Sequence, residues 1–155
     1  MWGMCSVPPH HREGRSGMYD DAVFVQERTV RIGDTDAAGI AYFASSLRLC
    51  HECYEALLEA RNIGLREHFA PDGLALPIVH VEGDYKAPLR MGDRIRVMVT
   101  RCSLGNRSYT IEYAIVKESG EIALTAKTVH VAVMLPDMKA TAIPEALREA
   151  LSKTG

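Results

Sequence analysis

The stretch that decides the fold is Gly33-Asp34-Thr35-Asp36-Ala37-Ala38-Gly39-Ile40-Ala41-Tyr42-Phe43, between a strand-like run and a long helix-like run. Asp36 stands a few residues before the expected helix start, where free N–H groups and the positive dipole end stabilise negative charge. A carboxylate there can serve as nucleophile or general base while the amides polarise a carbonyl. The structural alternative is that Asp34 and Asp36 cap the turn and Gly39 supplies a positive φ.

The segments on both sides of this turn indicate an α+β order. Alternating residues predict a strand over Ala22–Ile32, and apolar residues at three- and four-residue steps predict a helix over Tyr42–Asn62 that ends near Gly64. Because the later strands are separate from the helices, we expect one antiparallel sheet wrapped around the long helix. The remaining predicted segments are a loop over 65–75, the strands Leu76–Tyr85, Arg94–Ser103, Ser108–Lys117 and Glu121–Leu135, and a helix over Pro144–Ser152.

Composition limits the kind of protein this is. The chain has 155 residues, of which 47% are hydrophobic, so we expect one domain over 18–155 with a substantial core. Residues 1–17 lack periodicity and are predicted to form a disordered N-terminal tail. A net charge of −2 without a basic stripe argues against nucleic acid as a partner. No apolar run is long enough to span a membrane, and no export signal is recognisable, which predicts a cytoplasmic protein.

Cysteine and serine patterns indicate neither a metal site nor a serine nucleophile. Cys50 and Cys53 form a C-x-x-C in mid-helix with no second pair downstream, so we interpret them as small core-facing side chains. No G-x-S-x-G elbow is present. His80 and His130 fall on strands and are expected to be hydrogen-bonded structural residues, while Glu52 is expected on a solvated helix face.

The element order, together with several local motifs, resembles the hotdog fold and within it the 4-hydroxybenzoyl-CoA thioesterase-like family of acyl-CoA hydrolases. This resemblance implies a curved antiparallel sheet around one long central helix. The sequence Y-F-A-S-S-L-R-L-C-H-E-C-Y-E, with Phe43 after Tyr42, is most similar to the 1,4-dihydroxy-2-naphthoyl-CoA hydrolase branch. The likeness extends from Phe24 to about Leu147 and rests on Asp34–Phe43, Cys50–Glu55, Asp84–Leu89 with Gly92-Asp93, and Asn106–Tyr109.

The resemblance implies roles for individual residues. Asp36 would act on the thioester as nucleophile or general base, and the backbone N–H of Phe43, beside Tyr42, would face the thioester oxygen. No cofactor is implied, because coenzyme A is part of the substrate. The partners implied are an acyl-CoA and a second copy of the chain, in a homodimer or homotetramer with sites between subunits. The residues expected to contact the acyl group or coenzyme A are Gly39, Ser45, His51, Lys86, Arg107 and Ser108.

Several functions remain open at this level. An aromatic acyl group, with rings stacking on Tyr42 and Phe43 and hydroxyls bonding to Ser45 and Ser46, competes with a medium-chain aliphatic one. A hotdog dehydratase or hydratase would need His51 paired with a carboxylate, and it leaves the D-x-D turn unexplained. A non-catalytic acyl-binding module would have no use for the Asp36 carboxylate.

Overall fold

The computed structural model describes residues 19, 21–64 and 73–153. The predicted tail over 1–17 and most of the predicted loop over 65–75 lie outside these ranges. Among the described residues, no helix is both long enough and apolar enough to cross a membrane.

The secondary structure of the described ranges follows the predicted α+β order. The elements are β1 Phe24–Thr29, α1 Phe43–Ala60, β2 Leu74–Ala75, β3 Ile78–Tyr85, β4 Arg94–Leu104, β5 Ser108–Lys117, β6 Ile122–Val131, β7 Val133–Met134, β8 Lys139–Ala140 and α2 Glu145–Ser152. Five strands form an antiparallel sheet in the order β1-β4-β5-β6-β3, and three short strands form a second sheet in the order β2-β7-β8. The long helix α1 packs on one face of the larger sheet, as the hotdog resemblance implied.

The bounds differ from the sequence-based prediction where backbone bonds leave the regular pattern. The predicted last strand over Glu121–Leu135 is two strands, because the Ala132 N–H donates to the Arg107 carbonyl at 2.8 Å at the break between them. Helix α1 ends before Gly64, since Asn62 already adopts a left-handed conformation with φ 61°. A single 3-10 turn over Ile32–Asp34 shortens the first strand and leads directly into the Asp36 turn.

The core lies between α1 and the inner faces of β4, β5 and β6. Cys50 and Cys53 are both buried in it, which confirms their predicted core placement. The Cys53 thiol donates to the Val97 carbonyl at 3.3 Å, and burial raises its pKa to about 11, so it stays an unreactive thiol at neutral pH. The buried residues of α1 are Ser46, Leu49, Cys50, Cys53, Tyr54, Leu57 and Leu58.

Strand β3 is an open edge of the larger sheet. All eight of its residues are exposed, including Ile78, Val79 and Val81. It pairs on one side with β6, and its other side has no strand neighbour among the described residues. Helix α1 approaches β3 at Gly83, where a Cβ atom added to the glycine would lie 3.7 Å from the Leu47 side chain. An edge of this length, with exposed valines, is a surface suited to pairing with another strand.

Candidate active site

The Asp36 turn is closed by short-range backbone bonds. The Asp36 N–H donates to the Ile40 carbonyl at 2.9 Å, and the Gly39 N–H donates back to the Asp36 carbonyl at 3.0 Å. Gly39 has φ 71°, a left-handed conformation that other residues adopt only with strain. The Gly39 carbonyl accepts from the Met91 N–H at 3.2 Å, which fixes the turn to the loop before β4. The turn is thus held in one conformation by its own backbone bonds and by bonds to the segment before β4.

The Asp36 carboxylate is exposed and oriented by the same turn. Its Oδ1 accepts from the Ala38 N–H at 2.8 Å and, at the long distance of 3.5 Å, from the Ile40 N–H. The turn-capping role of Asp36 is therefore real, and it fixes the direction of the carboxylate towards solvent. A carboxylate oriented in advance loses little conformational freedom when it engages a substrate.

The start of α1 lies directly after this turn. Tyr42 precedes the first helical residue, Phe43, and no side chain in the described ranges caps the helix start. The first amides of a helix have no acceptor within the helix, so they are available to a ligand. The Tyr42 and Phe43 rings are half exposed and lie against each other, with centroids 4.5 Å apart. The Tyr85 hydroxyl donates to the Phe43 carbonyl at 2.7 Å, which ties β3 to the helix start.

A pocket of about 250 Å³ opens beside the turn and the helix start. Ile40 and Ala41 of the turn form one wall, Ser46 of α1 another, and residues 85–89 with Ala123 and Leu124 complete it. Most of this lining is apolar, and its polar side chains are those of Ser46, Tyr85 and Lys86. A largely apolar pocket with a few polar groups has the character of a small-molecule site.

The residues expected at the site do not all come together. Lys86 lines the pocket, but Ser46 rather than Ser45 provides its serine. Ser108 pairs with Val131, whereas Leu124, at the pocket, pairs with Ile115. Ser108 and Ile115 are seven positions apart on β5, so Ser108 lies about 23 Å along the strand from the pocket, at roughly 3.3 Å per residue. Arg107, next to Ser108, shares this remote position within one chain.

His51 lies outside the pocket, in a group of stacked rings. Its ring is parallel to that of His130, with centroids 6.4 Å apart, and its Nε2 is 3.3 Å from a Glu55 carboxylate oxygen. Its Nδ1 is buried and has no hydrogen-bond partner among the described residues. The Tyr109 ring also stacks on His130, with centroids 4.7 Å apart, and the Tyr54 hydroxyl contacts the Tyr109 hydroxyl at 2.5 Å.

His130 is a satisfied structural residue, as predicted, whereas His80 is exposed and pairs with Glu82. Because the Leu76 carbonyl can only accept, His130 donates to it from Nδ1 at 3.3 Å and accepts at Nε2 from the Thr128 hydroxyl at 3.0 Å. Burial lowers the pKa of His130 to about 4, so the ring is neutral at pH 7.

Sequence reasoning missed Tyr85 as a residue that shapes the site, named Ser46 only together with Ser45, and gave Asp34 only a role in capping the turn. Tyr85 belongs to the motif Asp84–Leu89, but its role depends on the contact between the end of β3 and the start of α1, which the sequence does not show. The described residues contain no group of three or more histidine, cysteine or carboxylate side chains placed to hold a metal ion.

Several known proteins that are similar to this chain are named as hydrolases of a coenzyme A thioester. A 1,4-dihydroxy-2-naphthoyl-CoA hydrolase of Rippkaea orientalis is 42% identical over 129 residues, which cover 82% of this chain and 94% of the relative. The corresponding protein of Synechococcus elongatus is 39% identical over 129 residues, with 83% and 94% coverage. The crystal structure of a 1,4-dihydroxy-2-naphthoyl-CoA thioesterase from Synechocystis superposes with a TM-score of 0.79 at 35% identity and covers 83% of this chain and 94% of that one.

Residues 30–151 also match the profile of the Thioesterase-like superfamily, a span that contains the Asp36 turn, α1 and the pocket. The expectation of a hotdog thioesterase is therefore confirmed. The chain belongs to the Thioesterase-like superfamily, whose similar members act on coenzyme A thioesters.

Proposed function

We propose that this protein hydrolyses an aromatic acyl-CoA thioester to the free acid and coenzyme A. The observation that carries the proposal is the juxtaposition of the oriented Asp36 carboxylate, an uncapped helix start at Phe43 and the adjacent apolar pocket. The similar proteins named for 1,4-dihydroxy-2-naphthoyl-CoA support the choice of an aromatic acyl group.

The chemistry divides between the carboxylate and the amides. Asp36 either attacks the thioester carbon, forming an anhydride that water then hydrolyses, or removes a proton from a water that attacks directly. In both routes the carbon–sulfur bond breaks, coenzyme A leaves as a thiolate that takes up a proton, and one water is consumed. The Phe43 N–H stabilises the negative charge that develops on the carbonyl oxygen, a contribution of roughly 10²–10³ in rate for such a donor. The reaction needs no cofactor.

The pocket fits a flat acyl group with polar substituents. Tyr42 and Phe43 are not part of the lining, but their half-exposed rings follow directly on Ala41 of the pocket wall and offer aromatic surface, on which stacking adds about 0.5–1.5 kcal/mol beyond the burial of area. Ser46 presents a hydroxyl within an otherwise apolar wall and is the group that we assign to a ring hydroxyl of the substrate. This assignment moves the proposed serine contact from Ser45 to Ser46.

We further propose a dimer formed by pairing of β3 with its copy. In an antiparallel pair related by a two-fold axis, Ile78 of one strand faces the Tyr85 end of the other. Arg107 and Ser108 lie at the Ile78 end of the sheet, two strands from β3, so the pairing brings them towards the partner's pocket. Arg107 can then bind a phosphate of coenzyme A, although it is remote from the pocket of its own chain.

The location that we propose is the cytoplasm. The three cysteines in the described ranges, Cys50, Cys53 and Cys102, are all free thiols. Free thiols are usual in a reducing compartment, where structural disulfides are rare.

The direct test measures thiol release from a panel of coenzyme A thioesters. We expect kcat/KM for hydroxylated benzoyl- and naphthoyl-CoA to exceed that for hexanoyl- to decanoyl-CoA. A tenfold preference for the aliphatic series would contradict the aromatic assignment and leave the thioesterase intact. Absence of thiol release from every thioester, with tight binding retained, would instead favour an acyl-binding module.

The His51–Glu55 contact favours one second candidate, a hydratase. It is a histidine paired with a carboxylate at 3.3 Å, the arrangement such chemistry needs. Both side chains are nearly half exposed and neither lines the pocket. An assay of water addition to crotonyl-CoA, measured as the loss of enoyl absorbance, tests this candidate separately from thiol release.

A further inference from the structure

Four charged side chains form a continuous row that joins β1, the Asp36 turn and α1. Arg28 of β1 binds Glu52 of α1, with Nη2 2.5 Å from Oε2. Arg48 of α1 binds the other Glu52 oxygen through Nη1 and binds Asp34 through Nη2. Glu52, expected on a solvated face, is 29% exposed, and its carboxylate lies between two arginines.

Asp34 is the buried end of this row. The residue is 7% exposed, and its carboxylate accepts from the Arg31 N–H at 2.8 Å as well as from Arg48. Its backbone carbonyl accepts from the Tyr42 N–H at 2.9 Å. Asp34 therefore bonds both to Arg31, where the chain enters the turn, and to Tyr42, the residue before the helix start. A buried carboxylate that loses its cation is strongly unfavourable, so Asp34 depends on Arg48.

Arg48 joins the two parts of the proposed reaction site. The segment from Asp34 carries the Asp36 carboxylate, and the helix that carries Arg48 also carries the Phe43 amide. We propose that Arg48 is a positioning residue that holds the Asp36 turn and the helix start in a fixed relation through its simultaneous contacts with Asp34 and Glu52. This inference rests on the proposed function, because it takes Asp36 as the reacting carboxylate.

The geometry of the contacts favours positioning over simple stabilisation. The pair of Arg48 with Glu52 joins side chains that are 49% and 29% exposed, so it contributes little to folding, and the stability that Arg48 supplies comes from its contact with the buried Asp34. A displacement of about 1 Å between reacting groups, in contrast, can lower the rate by roughly 10²-fold. The planar guanidinium reaches two carboxylates with two nitrogens, which the single ammonium of lysine does not reproduce.

The first test compares Arg48→Met and Arg48→Lys with a matched control, Arg101→Met, an exposed arginine towards the far end of β4. We expect Arg48→Met to lower kcat at least about tenfold with KM within about twofold, because binding contacts remain while the reacting groups separate. Arg48→Lys should recover only part of kcat, and Arg101→Met should match the wild type. An Arg48→Met variant with more than about half of the wild-type kcat, or with a loss confined to KM, overturns the proposal.

A double variant separates positioning from stability. Asp34→Asn/Arg48→Met removes both charges and keeps a side-chain oxygen for the Arg31 N–H. We expect its urea unfolding midpoint to return towards the wild-type value while kcat stays low. If kcat recovers together with the midpoint, Arg48 only stabilises the fold and the proposal fails.

The wild type and the Asp36→Asn variant distinguish failure of this inference from failure of the proposed function. Absence of thiol release by the wild type from every thioester would refute the proposed function, whereas an active Asp36→Asn variant would refute the role of Asp36 on which this inference rests. An inactive Asp36→Asn variant beside a fully active Arg48→Met variant would refute only the role assigned to Arg48.

Discussion

The hydroxyl of Tyr85 and the carbonyl oxygen of Phe43 are 2.7 Å apart, joined by a hydrogen bond. This bond connects the end of the exposed strand β3 to the first residue of α1. The same tyrosine ring lines the pocket. The hydrogen bond therefore connects the strand edge, where we propose pairing with a second chain, to the helix start at which we place the thioester oxygen.

Replacing Tyr85 by Phe tests this coupling. The variant keeps the ring in the pocket wall and removes only the hydroxyl, so the Phe43 carbonyl loses its donor. A hydrogen bond of this kind contributes about 0.5–1.5 kcal/mol. We expect kcat/KM to fall roughly 2–10-fold, mostly in kcat, as measured by thiol release from the best aromatic thioester. An unchanged kcat would show that the helix start does not need this bond.

Asp36→Asn is the most direct test of the reacting group. Asn retains an oxygen that can accept from the Ala38 N–H, so the turn should keep its conformation. The charge is lost, and we expect kcat to fall at least about 10²-fold with KM largely kept. Steady-state kinetics and circular dichroism together check rate and fold. A variant with more than about a tenth of the wild-type kcat would exclude Asp36 as the reacting carboxylate.

Strand β3 offers a test of assembly with a built-in control. Val81 on β3 is 48% exposed and Val25 on the opposite edge strand β1 is 43% exposed. Val81→Lys places a charge on the proposed pairing surface, and we expect it to yield monomers with reduced activity. Val25→Lys should remain a dimer. Light scattering at micromolar concentration measures both, and an active wild-type monomer would contradict the proposed dimer.

Ser46 should influence the choice of acyl group rather than the chemistry. Ser46→Ala removes the one hydroxyl that α1 contributes to the pocket. We expect kcat/KM for hydroxylated benzoyl-CoA to fall roughly 2–10-fold relative to unsubstituted benzoyl-CoA, as for the loss of a neutral hydrogen bond. Ser45→Ala serves as the comparison. Equal effects on both substrates would indicate that Ser46 does not contact the ring hydroxyl.

The buried His130 predicts a dependence of stability on pH. Its pKa is lowered to about 4 in the folded protein, chiefly by burial, against about 6.5 when unfolded. Between these values the unfolded chain binds a proton that the folded protein does not, so stability falls as pH decreases from about 6.5 to about 4.

Urea unfolding at pH 7 and pH 5 measures this contribution. We expect the wild type to lose about 1–2 kcal/mol more of its unfolding free energy than His130→Gln over that change. The comparison with the variant cancels the titration of the carboxylates. Equal losses in the two proteins would show that His130 is not the titrating group.

The helices and strands could be predicted from the sequence because the residue patterns that indicate them are local. Apolar spacing predicted α1 to within two residues at each end, and alternation predicted the five strands of the sheet. The breaks in the pattern were missed because they depend on distant partners. The end of β6 is set by the bond from Ala132 to the Arg107 carbonyl, and no local motif indicates it.

The site was only partly predictable for the same reason. The Asp36 turn and the helix start are adjacent in sequence, and they are adjacent in space. Ser46 was weighed only with Ser45, since which of the two faces the pocket depends on how α1 rotates against the sheet. The pairing of Arg48 with Glu52 follows from their i,i+4 spacing on α1, but the contact of Arg48 with Asp34 forms only when the turn folds back onto the helix, so the sequence did not indicate it.

Most of the pocket wall comes from segments other than the Asp36 turn, which contributes only Ile40 and Ala41 to the lining. The turn is closed by its own backbone bonds, whereas residues 85–89 and Ala123 with Leu124 reach the pocket from two strands of the sheet. Substitution of strand side chains can therefore reshape the cavity while leaving in place the groups to which we assign the reaction. Such an architecture lends itself to new thioester specificities obtained by a few substitutions at Ala87, Ala123 or Leu124.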